Sequence, residues 1–241
     1  MIIQPNWPLP KNIFAASTTR RGGFSTGIYE SLNLGDHVDD DPKIVQANRE
    51  KLKTFLKLPS DPLWMNQVHG NRVISASNYL PNISADACVS HSAREVCIVM
   101  TADCLPILLC HRNGSKIAAI HGGWKSLVQN IVENTIAAMN TDPHELMVWL
   151  GPAIGPEVYE VGDEVREQFL AKDKKHEAAF KPSVNQRWLA NLYLLATQQL
   201  QTLGITEIYG GNYCTYSMKE TFFSHRRDGK TGRMATLIFM N

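Results

Sequence analysis

A thiol and two imidazoles stand at the ends of apolar runs in this chain, and their types suit metal binding or nucleophilic catalysis. Cys104 follows the run Val96 to Met100 and precedes Pro106 to Cys110, His121 closes Lys116 to Ile120 and opens HGGWKS, and His69 closes LWMNQVHG. Asn113-Gly114, between the second and third runs, is a strong hairpin signal. Strands folded back at that turn would bring Cys104 to His121, with His69 the natural third partner. Two imidazoles and a thiolate offer three ligands to Zn²⁺ and leave one position open, the pattern of a catalytic zinc whose bound water ionises near neutral pH. The same set also suits a single copper ion. The rival chemistry is nucleophilic, with Cys104 attacking, His121 as base, and Asp103 or His69 orienting it. A cysteine beside a histidine has a lowered pKa, so both readings predict a thiolate; the second histidine favours the metal. Asp103 is the candidate proton-handling carboxylate, and equally a hydrogen-bond acceptor that supports the ligands.

Anion-binding residues form a second set. HGGWKS places backbone amides and Lys125 at the start of a helix, where the dipole favours a phosphate or carboxylate. Arg20 and Arg21 before Gly22-Gly23, and Arg226 and Arg227 near the C-terminus, offer bidentate donors. Any one arginine is more often a solvated surface residue. Arg20, Lys125 and Arg226 are the candidates for phosphate or substrate binding.

The elements that must position these residues follow from the pattern of apolar runs. Ile13 to Thr19 reads as a strand, followed by the turn RRGGFS. Asp41-Pro42 starts a helix to about Leu58. Strands are expected at Leu63 to Val68, Arg72 to Ala76 and Ala85 to Val89, then at the three central runs. A helix follows His121 with Leu127, Val128, Ile131, Val132 and Ile136 on one stripe. Leu146 to Leu150 is a buried-type strand; Gly162 to Ala171 and Arg187 to Leu203 read as helices; Glu207 to Gly210, Thr221 to His225 and Met234 to Phe239 complete the strands. Helices do not alternate regularly with strands, which argues for an α+β fold with mixed β-sheets. No linker, repeat or low-complexity tract divides the chain, so residues 1–241 are read as one domain.

Composition narrows the classes. The 241 residues carry a formal net charge of +1, which gives no electrostatic argument for nucleic acid or an acidic membrane surface. No run approaches a membrane span and the N-terminus lacks the features of a signal peptide. Five cysteines without a CxxC are read as reduced thiols in a cytoplasm. Cys88, Cys97 and Cys110, within apolar runs, read as small core residues.

STTRRGG, SLNLG, NQVHG, TADCLPILL and HGGWKS, with GPAIGPEVYEVG, CT and FFSHRRDGKTGR further on, make the chain resemble the YfiH family, also called laccase-domain or polyphenol oxidoreductase. The resemblance spans nearly the whole chain. It implies a single α+β domain in four layers, α/β/β/α, and a metal held at the positions of His69, Cys104 and His121. It also implies purine nucleoside chemistry: phosphorolysis of adenosine, inosine, guanosine and methylthioadenosine, and adenosine deamination. Bacterial members are further linked to peptidoglycan editing. The chain departs from the family pattern where HAGWRG is HGGWKS, which replaces an arginine fork with the point charge of Lys125, and where FFSYRRD is FFSHRRD, with His225 in place of a phenol. The laccase label implies several copper ions, yet the eight histidines include no His-x-His pair. The reading is a cytoplasmic zinc enzyme acting on a purine nucleoside and phosphate, monomeric or weakly homo-oligomeric. The alternatives are a cysteine-type amide hydrolase trimming cell-wall precursors, a purine-binding or partner-binding module without turnover, and a copper-dependent polyphenol oxidase.

Overall fold

The computed structural model describes residues 1–241, the side chain of Asn185 excepted. Two sheets lie face to face. One is antiparallel, in the order β1 (Ile2–Ile3), β2 (Ile13–Thr18), β13 (Met234–Met240) and β5 (Val96–Thr101). The other is mixed, in the order β12 (Glu207–Gly210), β8 (Leu146–Leu150), β6 (Leu105–His111), β7 (Ile117–Gly122), β4 (Ala87–Ser90) and β3 (Val73–Ser75). Its outer pairs, β12–β8 and β3–β4, are parallel and its inner pairs antiparallel. A third, small antiparallel sheet joins β9 (Glu160–Val161), β10 (Phe180–Pro182) and β11 (Trp188–Ala190).

The inner strands are buried on both faces, so their side chains sort by parity into separate cores. Cys97, Val99, Leu108, Cys110, Ile117, Ala119, Met147, Trp149 and Ile238 fill the space between the sheets. Ile107, Leu109, Ala118, Ile120, Val148 and Leu150 point the other way, onto the helices α3 (Ile131–Met139), α4 (Asp163–Lys172) and α5 (Leu192–Thr202). Val96, Ile98, Leu237 and Phe239 face outward from the four-stranded sheet and are covered by α1 (Pro42–Leu56) through Leu52. The layers are therefore α/β/β/α. Each Val, Leu and Ile among them contributes roughly 1.5–3 kcal/mol by burial. Cys88 and Cys97 meet between the sheets with their sulfurs 3.5 Å apart, and burial pushes the Cys110 thiol up to about 12.

Local signals explain where elements begin and stop. The Asp41 side chain accepts the Lys43 amide at the start of α1, Pro42 occupies its first turn, and left-handed Lys57 (φ 50°) ends it. Four expectations are corrected. The segment after His121 forms two helices, α2 (Trp124–Val128) and α3, because Asn130 turns left-handed (φ 67°) between them. The helix expected from Arg187 starts at Leu192; Trp188 to Ala190 pair as β11, and the Asn191 side chain caps α5 by accepting the Leu194 amide. Leu63 to Val68 makes one isolated bridge, Asn66 to Ser84, with no continuous ladder beside it. Thr221 to His225 is no strand: Phe222 and Phe223 are fully buried in a small cluster with Ala102 and Met234, and Ser224 caps the short helix α6 (His225–Asp228).

Candidate metal centre and adjoining cavity

The three ligand candidates arrive from three different parts of this frame. Cys104 lies where the chain crosses from β5 in one sheet to β6 in the other, and Asp103 makes that crossing with φ 91°. His121 lies in β7 opposite Pro106, with Gly122 opposite Leu105, so Cys104 stands just beyond the end of the β6–β7 ladder. His69 is left-handed (φ 57°) in the loop before β3. The structure brings them together: one ligand atom from each of His69, Cys104 and His121 lies within 4.8 Å of the others. The two imidazoles meet edge to face, centroids 4.7 Å apart.

Asp86, just before β4, organises the trio, and the sequence reading missed it. It is fully buried. Its Oδ1 accepts from His121 Nδ1 at 2.7 Å and from the His69 amide at 3.0 Å; its Oδ2 accepts the amides of Gly70 at 2.8 Å and Val68 at 3.3 Å. Its carbonyl takes the His121 amide at 2.7 Å. One residue thus fixes the His121 tautomer, leaving Nε2 toward Cys104, and holds the backbone of the His69 loop. The available signal was a single acid inside the apolar run ISADACV, since a buried carboxylate is almost always partnered.

The electrostatics follow from these contacts. Burial alone pushes the Cys104 thiol up, but the charge of His121 and hydrogen bonds from His121 and His69 bring it down to about 6. Burial opposes charge on His121, and Cys104 and Asp86 overcome it, raising it to about 9. Burial likewise disfavours the Asp86 carboxylate, and the His121 contact with the loop amides keeps it below its ordinary value. Cys104 and His121 thus each favour the charged form of the other, and Asp86 braces the pair.

The donor set fits a metal ion. A side chain at Gly123 would place its Cβ 2.7 Å from His69 Nδ1 and 3.3 Å from Cys104 Sγ, so the absence of a side chain there is what leaves the space between the ligands open. Among the described residues this trio is the one such cluster of candidate ligands, a set for a single ion.

Cys104 also forms one wall of a cavity of about 150 Å³, lined by Ala102, Asp103, Ile154, Tyr159, Leu192, His225 and Arg226. Arg226 lies over the Tyr159 ring at 5.2 Å, and its guanidinium donates to the Glu160 carbonyl at 2.7 Å. Asp103 is at this cavity with both oxygens engaged: Oδ1 accepts from Thr215 Oγ1 at 2.5 Å and Oδ2 from the Arg226 amide at 2.7 Å. Arg20 and Lys125 do not line it. Arg20 donates to the carbonyls of Glu30 and Lys219, rests on Phe223, and lines a separate charged cavity with Arg21, Lys219 and Glu220. Lys125 is exposed, with its ammonium 5.7 Å from the Trp124 ring centroid. Ile154 and Tyr159 lie inside GPAIGPEVYEVG, a stretch given no site role in the sequence, and Leu192 lies in no motif.

Layers and centre together define an α+β protein organised around a single His–Cys–His site beside a small, mostly apolar cavity. The chain belongs to the family described as multi-copper polyphenol oxidoreductase laccase, whose model matches residues 14–241. It is 48% identical over 241 residues to the Escherichia coli protein named purine nucleoside phosphorylase YfiH, covering 99% of this chain and 98% of that one. It is 46% identical over 239 residues to a Haemophilus influenzae purine nucleoside phosphorylase, covering 98% of each. Among solved structures, a Neisseria meningitidis protein superposes with TM-score 0.96 at 44% identity, covering 100% of this chain and 99% of that one. YlmD of Geobacillus stearothermophilus superposes with TM-score 0.93 at 27% identity, covering 100% and 96%.

Proposed function

We propose that this chain is a zinc-dependent enzyme that phosphorolyses purine nucleosides and, at the same site, deaminates adenosine. The observation that carries the reading is the sharing of Cys104 between the ligand trio and a cavity with flat apolar walls and a guanidinium. The purine nucleoside phosphorylase names of full-length relatives supply the substrate class. His69, Cys104 and His121 would hold the ion, which supplies Lewis acidity at the cavity wall when bound. Tyr159, Ile154 and Leu192 would hold the ring by burial and stacking, and Arg226 would take the phosphate, its other donors being free of the Glu160 carbonyl. Asp103, with both oxygens occupied, holds the start of α6 against Cys104.

The test uses protein purified without added metal. Elemental analysis is expected to give about one zinc per chain. Inosine should release hypoxanthine only with phosphate, alongside ribose 1-phosphate, and adenosine should release ammonia. Base release that ignores phosphate would make the enzyme a hydrolase and overturn the reading.

The line Asp86–His121–Cys104 supports a second reading, a thiol-dependent amide hydrolase acting on cell-wall precursors, since an oriented base beside a thiolate is the arrangement of a cysteine nucleophile. Chelation separates the two. It should abolish nucleoside turnover and leave a cysteine hydrolase active, whereas alkylation of the stripped protein stops the hydrolase.

A further inference from the structure

The cavity needs a group that exchanges protons, and its walls leave few candidates. Asp103 has both carboxylate oxygens occupied by Thr215 and the Arg226 amide. Cys104 is taken by the ligand trio. Arg226 donates only, and burial pushes the Tyr159 phenol up, so it stays protonated. His225 remains.

Its placement is fixed. Ser224 is fully buried and accepts the Arg227 amide. The Arg226 amide is held by Asp103, and the Arg227 guanidinium donates to the carbonyls of Thr215, Tyr216 and Phe222. The backbone carrying His225 is therefore tied down on both sides of the ring. His225 Nδ1 lies 2.7 Å from the Gly229 carbonyl. A carbonyl only accepts, so Nδ1 carries a proton and Nε2 is the ring nitrogen left without a partner from the Gly229 turn. The charged or titratable groups around it are Asp103, Cys104 and Tyr159 on the cavity walls, and Arg226, Arg227 and Asp228 on its own helix.

We propose that His225 Nε2 is the general acid that protonates the purine ring as the glycosidic bond breaks, an assignment that rests on the nucleoside reading above. A phosphate oxygen forms its bond to C1′ while the C1′–N9 bond breaks. The electron pair of that bond stays on the purine, and the Nε2 proton passes to N7. The proton that restores His225 comes from the incoming dihydrogen phosphate or from solvent. The apolar and aromatic side chains Ile154, Tyr159 and Leu192 share this cavity with His225 and suit a purine ring better than a polyhydroxylated ribose, which puts the base beside His225.

The experiment compares inosine with 7-methylinosine, whose ring already carries the positive charge that protonation would create. Holoenzyme and His225→Gln are assayed with phosphate for both substrates, with zinc content and melting temperature measured on each protein. The expected result is a fall of about 100-fold on inosine with less than about threefold on 7-methylinosine, the signature of a lost general acid, with zinc and melting temperature unchanged. Equal losses on both substrates, or no loss on either, overturn the assignment; the same comparison with His225→Phe guards against a glutamine that bridges the gap through water. If the wild-type holoenzyme phosphorolyses neither nucleoside, the nucleoside reading fails, and this assignment with it.

Discussion

Four donors converge on the Asp86 carboxylate, and they belong to both imidazole-bearing segments: the His121 ring and the amides of Val68, His69 and Gly70. Asp86→Asn keeps the volume but loses the charge and offers an amide to donors it cannot accept from. Zinc affinity is expected to fall about 10–100-fold, measured by competition with a chromogenic chelator; unchanged affinity would remove Asp86 from this role. The metal-free site makes a second residue-scale prediction. Cys104 falls from its ordinary 9.0 to about 6, so its ionised form stabilises the fold at high pH, and that contribution is lost as pH drops through about 6. His121 rises from 6.5 to about 9, so its contribution is present at low pH and lost as pH climbs through about 9. The unfolded pair titrates near 6.5 and 9.0, and the folded pair near the same two pH values with the sites exchanged. Between them both states hold one proton, so linkage leaves stability almost flat with pH there. Thiolate absorbance near 240 nm in chelated protein should nevertheless be present at pH 7.5 and fade as pH drops through about 6. A thiol that ionises only above pH 8 would contradict the ion-pair description.

Among the elements, the turn from β7 into α2 sets the site most tightly, because Gly123 faces the ligands there. Gly123→Ala directs a methyl at His69 Nδ1 and Cys104 Sγ, while Gly123 itself has φ −64° and no backbone need for glycine. The variant should fold with near-normal circular dichroism and lose most of its zinc, since the clash is with the ligands alone; full zinc occupancy would show that the cradle has room. The convergence of His69, Cys104 and His121 is legible in the sequence because each ends an apolar run and Asn113-Gly114 fixes the hairpin between the last two. Strands buried on both faces are legible for the same reason, as unbroken apolar runs of strand length. The expected strand at Thr221 to His225 fails because Phe222 and Phe223 fill a local cluster, and an apolar pair reads alike in a strand and in a buried loop. Arg20, beside paired glycines, looks like an anion donor. Its guanidinium donates to the carbonyls of Glu30, 10 positions away, and Lys219, 199 positions away, and the longer contact leaves no local pattern. Ile154 and Tyr159 stood in a motif, GPAIGPEVYEVG, whose pattern does not say which side chains face a cavity, and Leu192 left no signal.

At the scale of the molecule, the ligand trio sits where the two stacked sheets exchange the chain, so an ion there joins the β5–β6 crossover, β7 and the loop before β3. Binding only to the folded state should stabilise it by about 4 kcal/mol at 1,000 times Kd, and each kcal/mol is worth roughly 2–4 °C in a chain of this size. Zinc added to stripped wild type should therefore raise the melting temperature by roughly 8–16 °C, and the rise should vanish in Cys104→Ser. An equal rise in that variant would place the ion elsewhere.

The division of labour around Cys104 also follows the order of the chain. His69, Asp86, Cys104, His121 and Gly123 all precede α3, whereas Ile154, Tyr159, Leu192, His225 and Arg226 all follow it. The ligand cage and most of the wall proposed to hold the ring, Ala102 and Asp103 apart, are consecutive passages of one text, and the helix between them is a natural place to cut. A chimaera that keeps residues 1–140 and takes the remainder from the Escherichia coli relative should keep this chain's metal affinity and acquire the relative's ranking of purine substrates. Nucleoside preference could then drift or be inherited wholesale by recombination while the metal cage stayed as it is.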